Sequence, residues 1–229
     1  MAAAHWQRAI ELSQAHPDVA AAAAGPDLPW LYVRAVDALF RSGDSAQTGL
    51  VAAEAYRRFA RHADPAIAAA VCHRAAVYRT SEAPAAGRPL MEQALRLFEQ
   101  APPSADHTEA LLDSAIFFVL HIERRPQASA ATLNRALEIA EAAGATALIP
   151  RILAVMAWCV FVGGQVKEGF ATLARGQALA EGTQNDPALV WLAINESDAL
   201  LKLARFERAA EVASRGFEAA RQAGLEAWD

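Results

Sequence analysis

The chain has 229 residues, 58 of them alanine, with 54% apolar residues and only 12 glycines. Ala and unbranched side chains lose least on entering a helix, so this composition is written for helices and argues against an all-β or parallel-sheet fold and against disorder. The net charge is −5, with 19 Arg against two Lys (Lys167 and Lys202), and an acidic chain offers no clustered basic face for a phosphate backbone, which argues against direct contact with nucleic acid.

Helical periodicity and breakers predict eleven helices, over residues 3–15, 28–42, 45–62, 65–80, 87–100, 105–124, 127–143, 146–162, 165–181, 187–204 and 206–223. The first, with Trp6 near its start, reads as a second helix lacking its first. The others pair through turns at Gly43-Asp44, residues 84–87, Arg125-Pro126, Gly163-Gly164 and Ala204-Arg205, which recur about every 40 residues. A small residue holds a similar place in the second helix of each pair: Ala55, Ala94, Ala136, Gly176 and Gly216, separated by 39, 42, 40 and 40 residues. Counting back gives an i, i+3, i+4, i+7 packing stripe on each first helix: Tyr32, Ala35, Val36, Leu39; Val71, Arg74, Ala75, Tyr78; Asp113, Ile116, Phe117, Leu120; Leu153, Met156, Ala157, Val160; and Ala193, Glu196, Ser197, Leu200. Arg74, Asp113 and Glu196 are the polar exceptions. A fixed period of this length predicts an all-α fold, a right-handed α-solenoid of about five helical hairpins spanning residues 1–229 as one domain, with orphan helices at both ends.

Ala193, Ser197, Leu200 and Leu201, followed by Phe206-Glu207-Arg208-Ala209 and Gly216-Phe217-Glu218-Ala219, resemble the signature of the tetratricopeptide (TPR) family. The chain departs from that family in a period near 40 residues where the norm is about 34, and in lacking the terminal Pro of most units. Residues 186–228, and residues 137–144, are further similar to the repeat region of large ATP-binding LuxR-family transcriptional regulators, in which an ATPase precedes the repeats and a helix-turn-helix follows. That resemblance implies a sensor segment whose partners include the ATPase and helix-turn-helix of a parent protein. The lone opening helix and the start of a first helix at Leu225 fit a piece of something longer.

Residues 152–162 form the longest apolar run, well short of the ~20 residues a membrane span needs, and no secretory leader opens the chain. Cys72 and Cys159, in apolar stretches, read as buried hydrophobes of a reducing cytoplasm. The excess of Ala and Arg over Lys and Ile is what a GC-rich bacterial genome writes. Neither lysine lies in a phosphate-binding loop, the six histidines lack zinc-site spacing, and the neighbours Cys72-His73 point apart on a helix, so no metal or cofactor is expected. With no nucleophile, base and orienter at readable spacing, the chain is not expected to be an enzyme. The polar run Asn195-Glu196-Ser197-Asp198 reads either as ligand-contacting groups or, the favoured reading, as Asp198 paired with Lys202 and Glu196 with an Arg of a neighbouring helix.

In a tetratricopeptide-like solenoid the first helices line the concave side, which by register directs Trp30, Val33, Asp37, Phe40, Cys72 and Arg79 inward. Leu111, Phe118, His121, Arg151, Trp158, Phe161, Trp191, Asp198 and Lys202 follow along the same side. Such an aromatic groove suits a protein partner's peptide or helix, or a small apolar effector. The competing reading packs these aromatics between layers. The expected function is therefore a non-catalytic interaction or sensor segment of a bacterial transcriptional regulator; the alternative is a free-standing adaptor that mediates protein–protein interaction or forms a homodimer through Trp6 or Trp228.

Overall fold

The computed structural model describes residues 2–15, 28–117 and 125–222, and among them it contains eleven α-helices, one short 3₁₀ turn and no strand. They gather into two compact units, Met1–Pro102 and Pro103–Asp229. The all-helical expectation holds, and in each unit consecutive helices pack as neighbours.

The first unit holds α1 (Ala2–Ala15), α2 (Leu28–Arg41), α3 (Ser45–Phe59), α4 (Pro65–Glu82) and α5 (Pro84–Phe98). Asp44 caps α3 by accepting from the Gln47 amide at 3.0 Å, and Asp64 caps α4 by accepting from the Ala66 amide at 2.8 Å, each satisfying a donor that the first helical turn leaves open. On α2 the predicted stripe is the buried one: Tyr32, Ala35, Val36 and Leu39 are all within the core. Helix α4 is buried on every side from residue 67 to 76, because α2, α3 and α5 all lean on it. Its alanines make that possible, since three neighbours fit around a helix only where side chains are short.

One predicted turn is misplaced. Residues 84–87 are the first turn of α5, and the reversal happens at the single residue Ala83 (φ −150°, ψ 103°). A residue before proline is pushed to extended backbone, and Pro84 sits at a helix start where its missing N–H costs nothing. Gly87 then lies against α4, where a Cβ would come 2.4 Å from the Ala76 carbonyl oxygen.

The second unit holds α6 (Ala105–Asp113), α7 (Pro126–Ala142), the 3₁₀ turn Thr146–Leu148, α8 (Ile149–Val162), α9 (Val166–Gly182), α10 (Asp186–Lys202) and α11 (Phe206–Gln222). Helix α6, capped by Ser104, passes into a π turn over residues 114–117; the rest of the predicted 105–124 helix lies outside the described residues. Four turns in this unit are the same turn. Gly144, Gly164, Gln184 and Ala204 all have positive φ (65°, 79°, 51° and 55°) and follow one another at intervals of 20 residues. After each, an amide closes back onto the preceding helix: Ala145 to the Ala140 carbonyl (2.8 Å), Gln165 to Val160 (3.1 Å), Asn185 to Ala180 (2.9 Å) and Arg205 to Leu200 (2.9 Å). This is the Schellman ending, which consumes the last free carbonyls of a helix and turns the chain sharply.

Helix α8 touches α10 as well as α9, so successive first helices meet directly. Ala154, Ala157, Leu173, Ala180, Ala188 and Leu192 form one cluster where α8, α9 and α10 converge. The small residues of the register are buried throughout: Ala55, Ala94 and Ala136 are 3% exposed or less, and Gly176 and Gly216 are buried too. A Cβ on Gly176 would meet Leu192 Cδ2 at 2.7 Å, and one on Gly216 would meet Ala193 Cβ at 2.6 Å. Small residues thus set the distance between paired helices.

Candidate functional site

The polar residues interrupting the predicted apolar stripes are the ones the fold joins across helices. Arg74 of α4 grips Asp37 of α2 with both arms of its guanidinium, Nε to Oδ1 at 2.9 Å and NH2 to Oδ2 at 3.0 Å, while its NH1 meets His73 Nδ1 at 2.8 Å. A fork-on-fork pair of this kind is the strong form of a salt bridge. Asp113 of α6 accepts from Arg151 of α8 at 3.1 Å, and the Arg151 guanidinium lies 4.9 Å above the ring of Trp191 on α10. Residues 113, 151 and 191 thus stack carboxylate, guanidinium and indole on three successive first helices. Arg151 Nε is buried with no hydrogen-bond partner among the described residues.

Glu196 is buried and accepts from the Gln177 side-chain amide of α9 at 2.9 Å, so its partner is an amide and not the expected arginine. The arginine near by, Arg175, is exposed on the far side of α9, so register rather than charge selects the partner.

The expected Asp198–Lys202 pair forms, and it also recruits Trp158: the indole Nε1 donates to Asp198 Oδ2 at 3.1 Å, and Lys202 Nζ sits 5.2 Å above the indole ring while donating to the same carboxylate oxygen. This triad borders a shallow recess with a cavity volume of about 80 Å³ between the C-terminal ends of α8 and α10. Its apolar wall is Trp158, Phe161 and Val162 of α8, Val166 of α9, and Ala199 and Leu203. Phe161 is fixed from behind by Phe170, edge to face at 4.9 Å. Val162 and Leu203 remain 49% and 37% exposed.

The fold therefore brings together Trp158, Phe161, Asp198 and Lys202 of the predicted groove. Arg151 and Trp191 stack on each other, with Trp191 packed on the adjacent core cluster and outside the recess. In the first unit Val33 is 1% exposed and Cys72 is fully buried, Asp37 is engaged by Arg74, Trp30 is half-buried, and Phe40 and Arg79 are exposed. Leu111 is buried in the second unit. Phe118 and His121 lie outside the described residues. The helical register does not single out Val162, Val166, Ala199 or Leu203, although an apolar residue on each side of a chain reversal, where polar residues usually stand, is a readable signal.

Burial pushes the Cys72 thiol up to about 11 and raises that of Cys159 as well, the latter opposed in part by a hydrogen bond with Ser129. Both cysteines are free thiols in the core, and a nucleophilic cysteine needs the opposite setting. Among the described residues no three His, Cys, Asp or Glu side chains gather into a metal-binding group, and no helix is long and apolar enough to cross a membrane. The chain matches no protein-family model, no curated protein and no solved structure.

Proposed function

We propose that the chain is a non-catalytic interaction module of tetratricopeptide-like helical hairpins, and that the recess between α8 and α10 receives an apolar side chain from a partner's helix. The carrying observation is the apolar wall of half-buried Trp158 with exposed Val162 and Leu203, next to the Asp198–Lys202 pair. With a cavity volume of about 80 Å³ and a mouth open to solvent, the recess is far smaller than a metabolite pocket and suits a single side chain. Lys202 and Asp198 at its border supply one charge of each sign, which orients an incoming helix end. The likeness of residues 186–228 to the repeats of LuxR-family regulators favours a signalling setting in the bacterial cytoplasm, with partner binding biasing an ATPase and a DNA-binding domain. The alternative is an adaptor acting alone.

The test is a fluorescence-polarisation screen of labelled amphipathic helical peptides against the full chain. Leu203→Asp and Val162→Asp should each weaken the binders tenfold or more, because a carboxylate in the wall must be desolvated, while the circular dichroism spectrum stays unchanged. Finding no binder to the folded chain, or binders indifferent to both variants, sinks the proposal.

A further inference from the structure

A stack of carboxylate, cation and indole occurs twice in the second unit, once closed and once open. In the closed one the side chains of Arg151 and Asp113 are 24% and 13% exposed, and Arg151 Nε is sealed from solvent against Trp191. Its members come from α6, α8 and α10, so it holds three helices together. In the open one Lys202 and Asp198 are 58% and 40% exposed and stand with Trp158 at the mouth of the recess. Here cation and carboxylate lie one turn apart on α10, so Lys202 ties no helix to another, and an exposed pair at that spacing adds little stability. What Lys202 does show is an ammonium group bound against this indole and this carboxylate.

We infer that the recess binds a trimethylammonium group, carried by a small molecule or by a methylated lysine side chain, and that Lys202 is the resident cation it displaces. The inference rests on the recess being an open binding site, as proposed above, and not on its partner being a helix. Trp158 Nε1 donates to Asp198 Oδ2 at 3.1 Å, which holds ring and carboxylate in place without help from Lys202. Asp198 Oδ1 accepts from no described residue, so that oxygen keeps its charge toward solvent. Phe161, Val162 and Leu203 continue the indole as an apolar wall around about 80 Å³, room for a head group and not for a whole metabolite. An aromatic face, a carboxylate and apolar walls together are what a quaternary ammonium needs. The primary ammonium of Lys202 is compact and strongly hydrated, so it returns to water readily, whereas a methylated one gives up little hydration on entering.

Choline is the probe, titrated calorimetrically into the full chain beside neohexyl alcohol, which has the same shape without the charge. Choline should bind at least tenfold tighter than the alcohol. Asp198→Asn keeps an oxygen for Trp158 Nε1 and should weaken choline at least tenfold, with the circular dichroism spectrum unchanged. Lys202→Ala removes the resident cation and should tighten choline threefold or more. Trimethyllysine with blocked ends separates the two sources: binding tighter than choline assigns the group to a protein side chain, and weaker binding assigns it to a free small molecule. No choline binding, equal affinity of choline and the alcohol, choline binding unmoved by Asp198→Asn, or choline binding weakened by Lys202→Ala each overturn the inference. Equal affinity would leave the helix proposal standing, since the recess would then be apolar only. Choline binding to a chain that captures no helical peptide would sink that proposal and leave this one.

Discussion

Replacing Gly216 by alanine opposes two effects of similar size, and the geometry decides the sign. In the middle of a helix Gly→Ala ordinarily stabilises by about 1 kcal/mol, because glycine loses the most backbone freedom on folding. At Gly216 the new methyl would lie 2.6 Å from Ala193 Cβ and 4.0 Å from its Cα, where carbon atoms rest at about 3.5–4.0 Å. Ala193 has no rotamer to yield, so α10 and α11 must part by about 1 Å over the contact that seals Leu200, Ala209 and Val212. Overpacking of this kind costs about 1–3 kcal/mol, which outweighs the propensity gain and leaves Gly216→Ala about 1 kcal/mol less stable. At Gly182, in the same unit, an added methyl would meet nothing within 4 Å, so Gly182→Ala should stabilise by up to about 1 kcal/mol. The assay is urea unfolding followed by the fluorescence of the five tryptophans together with far-ultraviolet circular dichroism. Adding Ala193→Gly to Gly216→Ala removes the clash, so the double-mutant cycle should show a coupling of about 1 kcal/mol or more. A Gly216→Ala protein as stable as the parent, or no coupling to Ala193, refutes the close-approach argument.

Three further outcomes are expected. Asp37→Ala leaves the buried Arg74 guanidinium without its carboxylate and should destabilise the first unit by about 3–5 kcal/mol, read by thermal melting, whereas the solvent-exposed Arg135–Glu138 pair should tolerate Glu138→Ala within about 0.5 kcal/mol. Gln184→Gly and Ala204→Gly relieve side chains from left-handed backbone and should each raise stability by up to about 1 kcal/mol; unchanged or lower urea midpoints would contradict the turn assignment. Because the Cys72 thiol is raised from 9.0 to about 11, the unfolded chain ionises first: the stability this group contributes is complete below pH 9 and is lost as pH rises through about 11. Denaturation midpoints should therefore fall more steeply over that window in the parent than in Cys72→Ala, and parallel slopes would count against it.

Local rules carry the helices. Proline, glycine and the apolar stripes place α2, α3, α4, α6 and α11 at their first residues, Leu28, Ser45, Pro65, Ala105 and Phe206. Two starts are three residues off. Helix α5 begins before its predicted residue 87, because Pro84 reads as a breaker where it is a first-turn residue, and α8 begins after residue 146, because a 3₁₀ turn fills Thr146–Leu148. The buried small residues are legible because close helix approach leaves room for nothing larger. The cross-helix pairs are not. Whether Arg74 meets Asp37, or Glu196 meets Gln177, depends on which faces of two separate helices turn toward each other, and periodicity along one helix is silent on that. The same limit explains the groove residues: register sorts Trp158, Phe161, Asp198 and Lys202 together, but it does not distinguish Val33, which is sealed, from Phe40, which is open.

The even spacing of Gly144, Gly164, Gln184 and Ala204 makes copy number the quantity this segment is free to vary. Removing residues 165–204 would set Arg205 after Gly164, and the Arg205 amide would inherit the Val160 carbonyl that Gln165 now uses. Every later helix would keep its phase. A single inserted residue within α9, by contrast, rotates all that follows by about 100° and turns Ala180 out of the core. Length changes in whole multiples are mild and all others are severe, so natural variants of this chain should differ by steps of about 40 residues.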